Sequence, residues 1–308
     1  MKLSVVISAY NEEKNIAECL ESVKSIADEI ILIDNSSTDN TKEIAKKYTS
    51  KIITQENDIT AIDLLKNKGI ESAKGEWVLV IDADESLSKE LSEEISKSID
   101  NSGDSGDTNG YLMPRKNFIF GKWMQHTGWY PDYQLRLFRN GKGKYVEKHI
   151  HESIKVNGKT EKLSKHIIHS NYEGIQSFLR KMVIVYAPNE AEERVAKGYV
   201  FSFSDAFRFP LNEFISRFFA REGYKDGFHG LMLSILMAFY HFIVFAFLWE
   251  KNQFKEMDHK EMLIQFEQDK EKAEDELFHW INITKIKNEK NFLKKLALRT
   301  KRKLKKIL

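Results

Sequence analysis

The amino-acid sequence predicts an α/β protein: a mostly parallel sheet flanked by helices, with a C-terminal helical extension of membrane-associating character. Three observations predict it. Apolar runs of strand length alternate with helix-periodic segments over about residues 3–100, the order that yields parallel strands joined by right-handed crossovers. Residues 110–168 alternate in shorter runs between Gly- and Asn-bearing turns, which fits an antiparallel or mixed section added to that sheet. From about residue 172 the chain favours helix, and the nineteen residues Leu231 to Trp249 are apolar except at Ser234, Tyr240 and His241.

Taken in order, residues 3–9 read as a strand, and Asn11, Glu12 and Glu13 open a helix over about 13–26 with Ile16, Leu20 and Val23 at helical spacing. The next strand, Glu29–Ile33, ends at Asp34. A polar loop from Asn35 to Thr41 follows, with Thr38 or Asp39 as N-cap of a helix through Tyr48. A strand at 51–54, a helix at about 59–73 and a strand at 76–81 complete the series, and a helix at about 88–98 leads to a loop from Asn101 to Gly110. Gly110–Phe118, Gln134–Arg139, Ser153–Val156 and Leu163–Ile168 are the short strands of the second section. Residues 1–170 thus form an α/β domain with halves at about 1–100 and 101–170, 171–255 an apolar helical region, and 256–308 a charged helical tail.

Composition narrows the class. Hydrophobic content of 42% with 31% charged residues is compatible with a globular core and excludes wholesale disorder. The single cysteine, Cys19, forms no intrachain disulfide and reads as a buried apolar residue, which fits a reducing compartment. The strand at the start carries no signal-peptide pattern, so the expectation is a cytoplasmic domain. The net charge of +2 conceals a division: Lys285–Leu308 holds eleven Lys or Arg and one Glu, about +10, leaving about −8 for the rest. Such a tail asks for an anionic partner, membrane surface or nucleic acid; no nucleic-acid motif accompanies it, and Phe292 is the tail's one interleaved aromatic.

The chemistry concentrates at strand ends. The run Trp77–Ile81 stops at Asp82, Ala83, Asp84 and Glu85, three carboxylates in four positions. By itself that cluster fits a divalent cation shared with phosphates or an acidic first helical turn equally well. Two other strands end alike, at Ser8, Ala9, Tyr10, Asn11 and Glu12 and at Asp34. In open α/β sheets ligands gather at the carboxyl ends of the strands, so the three sites lie on one edge and favour a nucleotide with its metal. A tyrosine there can stack on a base and an aspartate can accept from base or ribose. There is no Gly-x-Gly-x-x-Gly and no Gly-Lys-Ser/Thr loop, so metal and side chains must meet the phosphates.

With these motifs, Val5–Glu12, Asp34–Thr41 and Ile81–Glu85, the sequence resembles the family 2 glycosyltransferases of the GT-A fold over about residues 3–100. Later segments are similar to one branch, the lipopolysaccharide-core glycosyltransferases related to β-1,4-glucosyltransferases acting on inner-core heptose: Arg115-Lys116-Asn117, His126 to Asp132, Arg136 to Arg139, His151-Glu152, and Gly223–Trp249. The resemblance implies uridine binding at Ser8, Tyr10, Glu12 and Asp34, and donor and metal (Mg²⁺ or Mn²⁺) at Asp82, Ala83 and Asp84, with His169 as a further metal or diphosphate contact. Lys66-Asn67 falls where relatives carry Arg-Asn, and lysine loses the planar two-pronged fork.

Inverting transfer also needs a carboxylate to take the acceptor proton. Glu152 is the first candidate and Asp132 the second. Arg136 and Arg139 fall on opposite strand faces, so one at most points at the site, and Trp123, His126 and Trp129 offer either a sugar platform or ordinary packing. The expected substrates are a UDP-sugar, glucose or a similar hexose, and a membrane glycolipid such as lipopolysaccharide inner core; another surface polysaccharide or a protein is the alternative acceptor. Apolar segment and basic tail together predict attachment to anionic lipid at the cytoplasmic face of the inner membrane, peripheral rather than spanning. Nucleotidyl transfer and a nucleic-acid-binding or scaffolding role built on the tail are the competing classes.

Overall fold

The structure, a computed structural model, describes residues 1–58, 63–101, 107–146 and 154–305. The chain divides into two compact units, residues 1–125 with 129–178, and residues 126–128 with 179–308.

The first unit is a mixed sheet flanked by helices. Its strands are β1 (Leu3–Ala9), β2 (Glu29–Asp34), β3 (Ile52–Thr54), β4 (Trp77–Asp82), β5 (Glu85–Leu87), β6 (Thr108–Ile119), β7 (Lys122–Trp123), β8 (Asp132–Arg139), β9 (Gly143–Lys144), β10 (Lys155–Val156), β11 (Lys159–Lys162) and β12 (Ile167–Tyr172). The main sheet runs β3-β2-β1-β4-β8-β6-β12-β5, with β7 and β11 also on β6, while β9 and β10 form a separate pair. The first four strands are parallel, and β8 joins β4 and β6 antiparallel. Strands β1, β2 and β4 are buried on both faces, which explains their unbroken apolar composition. Leu3, Val5 and Ile7 pack on one side with Leu20 and Val23 of α1 (Ile16–Val23) and with Leu91 and Ile95 of α4 (Lys89–Asn101). Val6, Ile31, Ile33, Val78 and Val80 pack on the other with Ile70 of α3 (Asn67–Ser72). Each fully buried aliphatic side chain contributes roughly 1.5–3 kcal/mol.

Several expected boundaries shift. The helix expected through Tyr48 is a single turn, α2 (Thr41–Ala45), whose N-cap is Asn40 rather than Thr38 or Asp39, with the Asp39 carboxylate accepting the Thr41 N–H. The expected helix at 59–73 is described as a short 3-10 turn at Leu64–Lys66 and α3; residues 59–62 lie outside the described residues. The strand expected at Leu163–Ile168 begins only at Ile167 and continues to Tyr172. The backbone N–H groups of Ser164 and Lys165 donate to the Glu94 carboxylate (3.0 and 2.9 Å) rather than to a ladder, so His169 sits within the strand and not past its end.

One short element went unpredicted and shapes the whole unit. Only Ala83 and Asp84 separate β4 from β5, yet β5 pairs with β12 at the far end of the strand order. The sheet therefore curls, with β8, β6 and β12 arched around the Asp82–Glu85 turn.

The second unit is helical: α5 (Ile175–Arg180) leads into it, and α6 (Ala187–Ala196), α7 (Asp205–Ile215), α8 (Phe228–Lys251), α9 (His259–Asn288) and α10 (Phe292–Lys305) compose it. Among the described residues α8 is the one helix long and apolar enough to cross a membrane, with 39% of its apolar window buried inside the protein. Its buried side carries Leu233, Met237, Tyr240, Val244 and Leu248 and packs on α6 and α7.

Candidate functional site

The strand ends named by the sequence do meet. Ser8 is opposite Asp82 on one side, and Ala9 is opposite Asp34 on the other. A buried polar chain ties these ends: Asn35 Nδ2 donates to Ser8 Oγ (3.0 Å), and Gln55 Nε2 donates to Asn35 Oδ1 (2.9 Å). The Ala83 N–H donates to the Ser8 carbonyl (3.1 Å), so the acidic turn is pinned to β1 as well as to β4. Asp34 is buried and accepts the Ser37 N–H (3.1 Å), which shapes the polar loop after β2. Tyr10 is 47% exposed just beyond β1, with its ring available for stacking. Glu12 is placed differently: its carboxylate accepts from Asn15 Nδ2 (2.7 Å), and its backbone carbonyl accepts the Asn15 and Ile16 N–H groups that start α1.

Beneath this edge lies a buried ionic network. Lys66, 2% exposed, bonds Asp82 Oδ1 (2.5 Å) and Asp63 (2.8 Å). Arg136 bonds Asp82 Oδ2 (2.6 Å) and Glu85 (3.1 Å), and Arg115 bonds Glu85 (3.0 Å) and Asp132 (2.6 Å). Both oxygens of Asp82, expected at the metal, are thus taken by cations. Burial alone would neutralise these groups. For Lys66 it pushes the pKa down, but Asp82 and Asp63 more than offset it and the net direction is up. For Asp82 it pushes up, but Arg136 and Lys66 win and the net direction is well down. Lys66 and Asp82 therefore stay charged at neutral pH. Asp132 behaves alike: burial raises its pKa, and Arg115 with Asn117 and Gln134 lowers it further than that.

The next carboxylate is arranged otherwise. Asp84 Oδ2 lies 3.5 Å from His169 Nε2. His169 is paired in register with Glu85 of β5 and Asn117 of β6, so the curl of the sheet carries it to the turn. Among the described residues no three His, Cys, Asp or Glu side chains form a ready-made metal cluster. A carboxylate with diphosphate oxygens suits Mg²⁺ or Mn²⁺, and the added imidazole nitrogen suits Mn²⁺ better than Mg²⁺, so the residues present fit a cation shared with a nucleotide.

The structure brings together Ser8, Asp34, Asp82 and Ala83 on one edge, Lys66 below it, and Asp84 with His169 beside it. Asp132 joins through Arg115 and Glu85, with Oδ2 accepting from Arg115 and Asn117 and Oδ1 from Gln134. Glu152 lies outside the described residues. Of the two arginines on β8, Arg136 faces the site, and Arg139 lies over the Trp77 ring (4.8 Å). Trp123 packs edge-on to Tyr130 with Lys116 over its face, and His126 belongs to the helical unit, where Asp226 accepts from its backbone N–H and meets its ring. Sequence reasoning gave no roles to Arg115 and Asn117. The available signal was the two-residue period of Arg115 and Asn117, together with the need of three adjacent carboxylates for cations.

Comparison with known proteins adds the lineage. The model of glycosyl transferase family 2 matches residues 4–181. An uncharacterized glycosyltransferase of Rickettsia typhi is 30% identical over 263 residues, 81% of this chain and 87% of that protein. The lipopolysaccharide core biosynthesis glycosyltransferase LpsC of Rhizobium meliloti is 25% identical over 267 residues, 83% of this chain and 94% of its own. Among solved structures, S. aureus TarS 1–349 in complex with UDP-GlcNAc aligns at 17% identity over 83% of this chain and 93% of that one, with a TM-score of 0.44. The family match covers more than half the chain and its strand ends carry the polar residues just described: the protein is a glycosyltransferase that belongs to family 2, with the mixed α/β architecture of the GT-A fold.

Proposed function

We propose that this glycosyltransferase moves a hexose, glucose or a close relative, from a UDP-sugar to a membrane glycolipid such as the lipopolysaccharide inner core, with inversion, at the cytoplasmic face of the inner membrane. The observation that carries the reading is the convergence of Ser8, Asp34 and Asp82 at adjacent strand ends. The likeness to LpsC supports the acceptor class. In this reading residues 1–170 do the chemistry, 171–255 meet the membrane and 256–308 hold anionic lipid.

Tyr10 stacks on the uracil, and Asp34 with Ser8 receives the uridine. Lys66 and Arg136 keep their charge and neutralise Asp82, which lowers the repulsion a diphosphate would meet there. Mg²⁺ or Mn²⁺, held by Asp84 and His169, would neutralise charge on the departing diphosphate. The base takes the proton of the acceptor hydroxyl as its oxygen attacks the anomeric carbon. Asp132 is poorly suited to that task, because four donors saturate it and its lowered pKa weakens it as a base. Glu152 is the proposed base.

A donor screen tests the reading. Sugar release from UDP-glucose should require Mg²⁺ or Mn²⁺ and vanish in Asp84→Ala. Turnover of sugar nucleotides without metal would sink the mechanism. Glu152→Gln should retain UDP-sugar binding and lose transfer by at least the 10²-fold usual for general-base removal; near-normal turnover would return the role to Asp132.

A further inference from the structure

Asn117 lies near the carboxyl end of β6 with no exposed surface. Its amide touches three groups that leave it one orientation. The side-chain nitrogen sits 2.8 Å from the Trp129 carbonyl and 3.1 Å from Asp132 Oδ2. Both are acceptors only, since Asp132 is held ionised, and they use both amide hydrogens. The other side-chain atom is therefore the oxygen, and it lies 2.7 Å from His169 Nδ1. A carbonyl oxygen cannot donate. His169 Nδ1 must carry a hydrogen, which leaves the lone pair of the neutral ring on Nε2, the atom that faces Asp84.

We propose that Asn117 is a positioning residue that fixes His169 as the Nδ1–H tautomer, so that Nε2 and the Asp84 carboxylate together form a divalent-cation site. The inference rests on the metal reading above for its purpose, and on hydrogen-bond geometry for its content. Imidazole ligands commonly donate the second ring N–H to an oxygen that sets tautomer and orientation, and losing that partner typically costs 10–100-fold in metal affinity. Here the chain of command is longer. Arg115, charged and paired with Glu85, holds Asp132; Asp132 and the Trp129 carbonyl hold the Asn117 amide; and Asn117 sets the ring. The same residues that neutralise the acidic turn thereby prepare its neighbour for a cation.

Two measurements on the full-length protein test this. Ring-nitrogen NMR of the metal-free wild type, with His169 assigned from a His169→Gln spectrum, should show Nδ1 protonated and Nε2 bare once the ring is neutral; an Nε2–H ring overturns the assignment without any change at Asn117. Mn²⁺ alone, titrated by calorimetry or electron paramagnetic resonance, should bind Asn117→Ala 10–100-fold more weakly than wild type, with mixed tautomers in the ring spectrum. Unchanged Mn²⁺ affinity in a folded Asn117→Ala protein overturns the positioning role. Asp84→Asn separates the two ideas: if wild type and Asp84→Asn bind Mn²⁺ equally, the cation site fails while the ring spectrum still decides the tautomer. If Asn117→Ala does not fold, the wild-type spectrum alone decides it.

Discussion

Asp82 sits at the centre of the network with Lys66 on one oxygen and Arg136 on the other, and its side chain keeps 28% of its surface exposed. Glu85 next to it has none and is held by Arg115, Arg136 and the Asp82 backbone N–H. Removing one partner of a buried ion pair costs more than the pair itself contributes, because a charge stays behind unsolvated. Arg136→Met should therefore destabilise the first unit by about 3 kcal/mol, the low end for such losses since each carboxylate keeps a second cation; denaturant unfolding measures it, and an unchanged midpoint would contradict the network's role. The pH dependence follows from the same shifts. Asp82 and Asp132 are held below the ordinary carboxylate range, so their stabilisation is complete above the unfolded value of about 3.9 and fades as pH drops through the folded ones. Unfolding free energy should stay level from neutral pH to about 5 and decline below about 4. Arg136→Met should blunt that decline, whereas a fall already between pH 7 and 6 would point to a histidine.

At the scale of elements, β1, β2 and β4 were legible because burial on both faces leaves a plain apolar run, and their polar ends then located the site. The elements that escaped were those created by partners distant in sequence. Glu85, Ser86 and Leu87 look like the entrance to a helix, and only pairing with β12 makes them a strand. Lys159–Lys162 is exposed at every position and owes its strand to β6. The closing of the sheet around Asp84 was hidden for the same reason, and with it the roles of Arg115 and Asn117. Close packing of helix on sheet is a further non-local fact. A Cβ built on Gly69 would lie 2.4 Å from Val6 Cγ1 and 3.0 Å from Ile33 Cγ1, so α3 rests on β1 and β2 at the distance glycine permits. Gly69→Ala should cost about 1–3 kcal/mol by overpacking, against its gain in helix propensity. Combining it with Val6→Ala should recover part of the loss, and additive costs in the double variant would show that the contact is not the cause.

At the scale of the molecule, charge and apolar surface are segregated in the helical unit in a way that bears on the proposed use of a lipid-borne acceptor. The sequence disclosed the apolar run of α8 but not its sidedness, because nearly every position is apolar and periodicity is silent. The packing of α6 and α7 decides it, leaving Phe228, Ile235, Phe239, Phe242 and Trp249 exposed along one stripe opposite the buried face. In α10, Phe292, Leu293 and Leu296 are likewise exposed among Lys294, Lys295 and Arg299. Attachment to an anionic bilayer would then have two components that respond differently to salt. Basic residues near such a surface are worth about 1 kcal/mol each and are screened within a Debye length; apolar insertion is not screened. Replacing Lys294, Lys295 and Arg299 by alanine should lower partitioning onto anionic vesicles about 100-fold at low salt. Partitioning of the wild type should fall with added salt towards a plateau, and Phe239→Asp with Phe242→Asp should remove the plateau. Wild-type protein that salt and alkaline washing leave on native membranes, and that only detergent releases, would mean that α8 spans the bilayer instead.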